Sequence, residues 1–359
     1  MQYRILGKTG LEVSIIGFGG IKLPAVDEQK ATRALNRALD LGVNFVDTAR
    51  NYRDSEAKIG RALKSRRGEY VLATKSSKRD AASAMADLET SLRELQTDAV
   101  DLWQLHTVSD PETWAQVTAP GGAVEACQKA LQQGKARHVG VTIHRAHDVM
   151  RQAIRSGLFE TIMVAYSPLD QEGVAAEILP MAKDHGLGVI IMKPLSGGAL
   201  SLPERPADGP DPIAIGSLKH IVSNEAVTVA IPGITCVREI EEDAAVGDEA
   251  LPVTREETDR LMRRIGALRK EFRYGQVCLQ CGYCQPCPEG VPIPDVFRAT
   301  DMYRQYPDNL KHMGLNIFQA LEVGPDACAE CGQCEEACPA GLPVREKLKE
   351  ARQLFSTVT

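Results

Sequence analysis

Residues 43–106 read VNFVDTARNYRDSEAKIGRALKSRRGEYVLATKSSKRDAASAMADLETSLRELQTDAVDLWQLH. Three short apolar runs stand in this stretch, at 43–46, 70–73 and 100–105. Between them, 55–64 and 81–95 carry apolar residues at helical spacing. Apolar runs bounded by polar turns read as buried strands, and periodic segments read as amphipathic helices. Strands alternating with helices predict a parallel sheet crossed by helices.

The rhythm extends both ways. Upstream, a hairpin is predicted in the first 18 residues, with its turn at Gly7-Lys8-Thr9-Gly10. An apolar run at 15–17 and a helix at 27–41 follow. Downstream come helices at 124–133, 146–156, 175–184, 212–222 and 237–246. Strands at 138–141, 161–165, 188–192 and 227–231 fall between them. Eight strand–helix units predict an α/β chain whose residues 1–250 form a closed (β/α)8 TIM barrel. An open doubly wound sheet would place phosphate-binding glycines after its first strand. Gly17-Phe18-Gly19-Gly20 stands there without the G-x-G-x-x-G spacing.

The chain has 359 residues, enough for a barrel and an appendage. Its 42 Lys and Arg against 48 Asp and Glu leave a net charge of −6, which argues against a nucleic-acid partner. Hydrophobic content of 43% and charged content of 25% are those of a globular protein. No apolar run approaches the ~18 residues that span a bilayer, so no membrane partner is expected. The first residues, Met1-Gln2-Tyr3-Arg4, hold no apolar signal core. The expectation is a cytoplasmic protein.

A barrel of this kind places chemistry after the C-terminal ends of its strands. Asp47 and then Tyr52 follow the second strand, Lys75 ends the third and His106 the fourth. A phenol has an unperturbed pKa of about 10, and a neighbouring ammonium lowers it. A buried lysine needs a partner, which Asp47 supplies. His106 can donate a hydrogen bond to the same substrate oxygen, orient the carbonyl or shuttle the proton. The set suits protonation of a carbonyl oxygen while hydride arrives at carbon.

Val46-Asp47-Thr48-Ala49 with Tyr52, Ala73-Thr74-Lys75 and Leu102-Trp103-Gln104-Leu105-His106 resemble the aldo-keto reductase superfamily. Gly140-Val141-Thr142 and Ile231-Pro232-Gly233 look like further landmarks, and the resemblance covers roughly residues 3 to 246. It implies a catalytic tetrad of Asp47, Tyr52, Lys75 and His106. It also implies NADP(H) or NAD(H) lying extended across the barrel mouth, and a small-molecule carbonyl or alcohol substrate. The implied cofactor contacts are Gly19, Gly20, Asp47, Thr142, Ser167, Lys193, Pro194, Leu195, Gly197, Ile231, Gly233, Arg238, Glu242 and Asp243. Two departures stand out. The family often carries Gln near the end of the sixth strand, where this chain reads Ile162-Met163-Val164-Ala165-Tyr166. Gly233, Ile234 and Glu239 occupy the places of the usual ribose-phosphate cations, leaving Arg238 as a substitute. Both nicotinamides therefore stay open. A loop after His106 containing Trp114, Pro120 and Gly121-Gly122 is expected to set substrate choice. The stretch 201–211, rich in Pro, is expected to fold over the cofactor.

Eight of the ten cysteines fall between Cys278 and Cys338. Clustered cysteines in an intracellular chain read first as metal ligands. Cys328, Cys331, Cys334 and Cys338 follow the C-x2-C-x2-C-x3-C-P signature of a 4Fe-4S cluster, with Pro339 at its end. Cys278, Cys281, Cys284 and Cys287 form a similar run, one residue shorter before Cys287. The repeat runs past the cysteines, since Cys287-Pro-Glu-Gly-Val-Pro-Ile mirrors Cys338-Pro-Ala-Gly-Leu-Pro-Val. In the signature the fourth thiolate crosses to the other cluster. Cys278, Cys281, Cys284 and Cys338 are then expected on one cluster, and Cys328, Cys331, Cys334 and Cys287 on the other. Four-thiolate zinc sites compete with this reading. Residues 251–359 are thus read as a linker helix, predicted at 258–272, and an α-helical ferredoxin-like 4Fe-4S dicluster domain. Cys127 reads as helix packing and Cys236 as a loop thiol. The chain resembles the iron–sulfur-containing branch of the reductases, which implies reduction of a carbonyl to an alcohol or the reverse. Electron exchange with a ferredoxin-like partner and a redox-sensing role are the alternatives.

Overall fold

The computed structural model of the chain describes residues 1–144, 146–169, 173–202, 206, 209–249, 251–268, 278, 282–305, 311–338 and 341–356. It groups into two compact units, Met1–Pro194 with Ser217–Val253, and Leu195–Gly216 with Thr254–Thr359.

The first unit opens on the predicted hairpin, β1 (Tyr3–Ile5) antiparallel to β2 (Glu12–Ser14). Eight parallel strands follow among the described residues: β3 (Phe18–Gly19), β4 (Phe45–Asp47), β5 (Val71–Ser76), β6 (Val100–Leu105), β7 (Ala136–Ile143), β8 (Thr161–Ala165), β9 (Gly188–Met192) and β10 (Val229–Ile231). They are hydrogen-bonded in chain order. Bridges Ile16 to Ala230 and Gly19 to Gly233 bring the last strand back to the first and close the barrel. The first barrel strand thus begins later than the apolar run at 15–17, because Ile15 and Gly17 are spent on closure. Ala230 donates to the Ile15 carbonyl and Gly17 to the Ala230 carbonyl. Strands β5, β6, β8 and β9 are buried along their whole length, as strands covered on both faces must be.

Around the barrel run α1 (Glu28–Asp40), α2 (Ser55–Leu63), α3 (Ala81–Leu95), α4 (Pro111–Thr118), α5 (Ala123–Gln132), α6 (His147–Ser156), α7 (Leu179–Asp184), α8 (Pro212–Val222) and α9 (Val237–Ala245). In α1 the buried face is Ala31, Ala34, Leu35, Ala38 and Leu39, one stripe of a 3.6-residue period. Asp27, Asp80 and Asp110 cap α1, α3 and α4 by accepting from the N–H three residues on. Two expectations change. The segment after His106 is not all loop: Asp110-Pro111 starts α4, and Trp114 packs edge-on against buried Phe159 at 6.4 Å. The helix expected at 175–184 divides into a π-helical turn at Val174–Ile178 and the short α7.

In the second unit, α10 (Arg255–Leu268) covers the described part of the predicted linker helix. Helices α11 (Ile293–Gln305), α12 (Lys311–Gln319), α13 (Gln333–Glu336) and α14 (Val344–Ser356) follow. The two repeats share one core. Val291, Ile293 and Phe297 of the first pack with Leu342, Val344 and Leu348, their counterparts in the second. The repeat seen in the sequence is thus a packing device.

No helix among the described residues is long and apolar enough to cross a membrane. Helices α2 and α3 approach closely at Gly60, where an added Cβ would stand 2.2 Å from the Glu94 carbonyl oxygen. Backbone cannot yield there, so Gly60→Ala is expected to destabilise the barrel by about 1–3 kcal/mol. The check is the midpoint of urea unfolding followed by circular dichroism. An unchanged midpoint would mean the two helices can part.

Candidate active site

The four predicted catalytic side chains come from three neighbouring strand ends. Asp47 is the last residue of β4, Lys75 lies near the end of β5, and His106 directly follows β6. Lys75 Nζ donates to Asp47 Oδ2 at 2.6 Å and to the Thr48 carbonyl at 2.7 Å. Both side chains are buried, at 1% and 2% exposure. Burial pushes the Asp47 carboxyl up and the Lys75 ammonium down, while each charge pulls the other back toward ionisation. The Tyr52 ring lies 5.1 Å from Lys75 Nζ and meets the His106 ring edge-on at 5.7 Å.

The loop bearing Tyr52 is fixed from several sides. Arg50 N–H donates to the Lys75 carbonyl at 2.9 Å. The Arg50 guanidinium pairs with buried Glu56 on α2 and, at 3.2 Å, with Glu94 on α3. Glu56 also accepts from Thr74 Oγ1 at 2.6 Å. Thr48 and Ser55 hydroxyls bond to each other at 2.9 Å. Side chains alternate along β5, so Thr74 faces the helices and Lys75 the barrel interior.

His106 is buried, and its imidazole is held well below its ordinary pKa. Burial is the main cause, followed by the charges of Lys75, Arg79 and Lys193. It is neutral at neutral pH and can present one N–H to an acceptor.

The predicted cofactor residues divide. Thr142 is buried, and its hydroxyl accepts from Thr107 N–H at 2.8 Å. Ser167 is buried next to β8. Lys193, at φ +56°, donates to His144 Nδ1 at 2.7 Å and acts electrostatically on His106. Gly19 and Gly20 serve close packing, since a Cβ would stand 2.5 Å from the Pro232 oxygen and 2.8 Å from the Asp47 oxygen. Gly233 lies against the Lys22 side chain, and a Cβ there would come within 3.0 Å of Lys22 Cγ. Ile231 ends β10. Arg238 and Glu242 form an ion pair at 2.6 Å along α9, where Asp243 is buried. Pro194 closes a segment of the first unit. Leu195 and Gly197 belong to the second unit, in a turn where Gly198 donates to the Leu195 carbonyl. Within 201–211, residues 203–205 and 207–208 lie outside the described residues.

The sequence reading passed over Gln104, Arg50, Glu56, Arg79 and His144. Gln104 was findable, because it lies two residues before His106 and so on the same face of β6. It faces Asp47 and favours its charge, although both ends of its amide and Asp47 Oδ1 are buried without a hydrogen bond among the described residues. A buried carboxylate oxygen lacking a donor suits a hydroxyl-bearing ligand such as a nicotinamide ribose.

In the second unit, one cavity is lined by Cys284, Cys287, Cys328, Cys331 and Cys334. The expected crossing ligand Cys287 thus shares a cavity with the three close-spaced thiols of the second run. Cys278 and Cys338 pack beside the shared apolar core, and Cys281 lies outside the described residues. A thiolate-rich, partly apolar cavity fits an iron–sulfur cluster. Cys127 is buried with its thiol pushed up to about 12 by burial, as helix packing requires. Cys236 is half-buried at the start of α9.

A barrel whose strand ends gather Asp, Tyr, Lys and His defines a class that comparison with known proteins names. Residues 15–214 match the aldo/keto reductase family and residues 277–342 match the 4Fe-4S dicluster domain. The chain belongs to the aldo/keto reductase family of oxidoreductases and carries a 4Fe-4S dicluster domain at its C-terminus. It is 30% identical over 226 residues to the uncharacterised oxidoreductase YqkF of Bacillus subtilis, covering 58% of this chain and 69% of that protein. It is 27% identical over 287 residues to L-galactose dehydrogenase of Arabidopsis thaliana, covering 69% and 89%. Among solved structures, the holo form of aldo-keto reductase AKR11C1 from Bacillus halodurans aligns with a TM-score of 0.62 at 30% identity, covering 73% of this chain and 96% of that one. A Klebsiella pneumoniae aldo-keto reductase in complex with NADPH aligns with a TM-score of 0.60 at 26% identity, covering 74% and 96%.

The state of His106 has a consequence for stability. As pH falls through about 6.5 the unfolded chain takes up a proton that the folded chain refuses. Stability is therefore unaffected above that pH and declines below it. Urea midpoints are expected to fall between pH 7.5 and pH 5.5, and more steeply in the native chain than in His106→Gln. Half-buried His220, also held low by burial, accounts for residual slope. Equal slopes in the two proteins would assign the effect away from His106.

Proposed function

We propose that the chain interconverts a carbonyl and an alcohol with a nicotinamide, Tyr52 acting as the general acid in reduction and the general base in oxidation. The observation that carries this reading is the packing of the Tyr52 ring against both Lys75 Nζ and the His106 ring. A reduced nicotinamide, when bound, would supply hydride to the carbonyl carbon. Tyr52 gives its phenolic proton to the carbonyl oxygen, and the Lys75 ammonium favours the phenolate left behind. Asp47 keeps Lys75 charged and aimed. Neutral His106 donates an N–H to the same oxygen, orienting the carbonyl and stabilising charge that develops on it. Asp47 Oδ1, Thr142, Ser167 and Lys193 are the first-unit residues assigned to the nicotinamide end. Gly233 and Arg238 are assigned to the adenosine end. NADP(H) is favoured over NAD(H) by the NADPH bound in the Klebsiella relative.

Residues 251–359 are assigned two 4Fe-4S clusters, with the two ligand sets that the repeat implies. A reducing cytoplasm suits eight such thiols. The dicluster domain favours a second reading, in which the clusters exchange electrons with a ferredoxin-like partner. Hydride carries two electrons and a cluster carries one, so that reading also requires a mediator that splits the pair.

Tyr52→Phe is expected to lower kcat for carbonyl reduction by about 100- to 10,000-fold, with the KM for NADPH little changed. Undiminished turnover would remove Tyr52 as the acid. Anaerobically purified protein is expected to hold iron and sulfide at about eight each. Zinc in their place would overturn the cluster assignment. Bleaching of the broad absorbance near ~400 nm on titration with NADPH would support the second reading. Full turnover without bleaching would leave the clusters off the hydride path.

A further inference from the structure

The proton-transfer reading leaves one arginine beside the site unused. Arg79 follows β5 and is half-buried. Its Nη1 donates to the His106 carbonyl at 2.7 Å and its Nη2 to the Thr107 carbonyl at 2.9 Å. Among the described residues it forms no ion pair, so its fork is spent on two consecutive main-chain carbonyls. Its own backbone is anchored too. Ala123 N–H donates to the Arg79 carbonyl at 2.8 Å, and Ala81 N–H to the Gly121 carbonyl at 2.8 Å.

The grip falls on strained backbone. Thr107 has φ +57°, a left-handed conformation that a β-branched residue rarely adopts. The N–H groups of all three residues from 106 to 108 are satisfied. His106 N–H donates to the Ser76 carbonyl at 2.8 Å, Thr107 N–H to Thr142 Oγ1 at 2.8 Å, and Val108 N–H to the Thr142 carbonyl at 2.9 Å. Strain persists only where the surroundings over-determine it, and here it adjoins His106.

We infer that Arg79 is a positioning residue, which locks the strained His106–Thr107 backbone and so fixes where the His106 imidazole meets the substrate oxygen. This rests on the reading of His106 as a donor to that oxygen. The guanidinium also adds charge near the ring. The groups facing His106 are Lys75 from β5, Arg79 after it, Lys193 after β9 and the Tyr52 ring from the loop after β4. Asp47 pairs with Lys75, and Asp110 faces Arg79.

The test compares the native chain with Arg79→Met, Arg79→Lys and the double variant Arg79→Met with Thr107→Gly, each with its clusters in place. Two readouts are taken: the His106 titration by long-range proton–nitrogen NMR, assigned with His106→Gln, and kcat and KM for carbonyl reduction against pH. In Arg79→Met, His106 is expected to titrate at higher pH and kcat to fall by up to about 100-fold, while the KM for NADPH holds. Arg79→Lys keeps the charge and loses the fork, so the titration stays low and kcat falls less. Glycine adopts the left-handed conformation freely, so the double variant recovers part of the lost kcat. Native kcat in Arg79→Met overturns the proposal, wherever His106 titrates. Failure of the double variant to recover any kcat also overturns it, by assigning the loss to charge alone. Should Arg79→Met not fold, Arg79→Lys decides: native kcat there overturns the proposal, and reduced kcat with an unmoved titration supports it. A native chain that reduces no carbonyl would sink the catalytic reading instead. The His106 titration and the Thr107 backbone in variant crystals would then still decide whether Arg79 is a clamp.

Discussion

The Lys75 ammonium is enclosed in the barrel with one carboxylate opposite it, and much of the site follows from that pairing. An isolated buried charge is costly, and losing either partner would leave the other uncompensated. Both must therefore be built in by the sheet. Strands β4 and β5 do this through a register that sets Asp47 beside Ala73, with Lys75 two residues further along the same inner face. The Thr48 carbonyl takes a second ammonium proton. Outside the same strands the arrangement recurs with a different purpose. Arg50, Glu56 and Glu94 bind the loop after β4 to two helices. The inner pair lies beside the Tyr52 ring, while the outer three residues hold the loop that carries it.

Much of this was legible in the sequence. The alternation of short apolar runs with amphipathic periods is set by local geometry, so strands β6, β8 and β9 fall at their predicted residues. The meeting of Asp47, Tyr52, Lys75 and His106 was legible because a parallel barrel brings successive strand ends together whatever its loops do. Closure was less legible. Whether Ile15, Ile16 and Gly17 make a strand or a seam depends on β10, more than 200 residues away. Helix α4 is less legible although Asp110-Pro111 is a good start signal, because Pro120 and Gly121-Gly122 mark the same segment as a loop. The contact of Trp114 with Phe159 is one that only the fold brings about.

Residues that act on other residues left the least trace. Nothing about Arg79 in the sequence separates it from the other surface cations. Its importance appears only when its fork meets the carbonyls of His106 and Thr107. Likewise Arg238, singled out as a spare cation for a ribose phosphate, is engaged by Glu242. A phosphate there would compete with a carboxylate already in place. Charge in a sequence gives composition, whereas partner choice is a three-dimensional fact.

The cavity lined by Cys284 and Cys287 together with Cys328, Cys331 and Cys334 bears on how the protein is made. The first repeat leaves the ribosome with two thiols, Cys284 and Cys287, facing a cavity whose other three cysteines are still to be made. That cavity is complete only once the second repeat has been made, by which time every strand of the barrel has been synthesised. Biogenesis thus has an order written into the chain. Translation order therefore finishes every strand of the barrel before the cavity can close around any ligand.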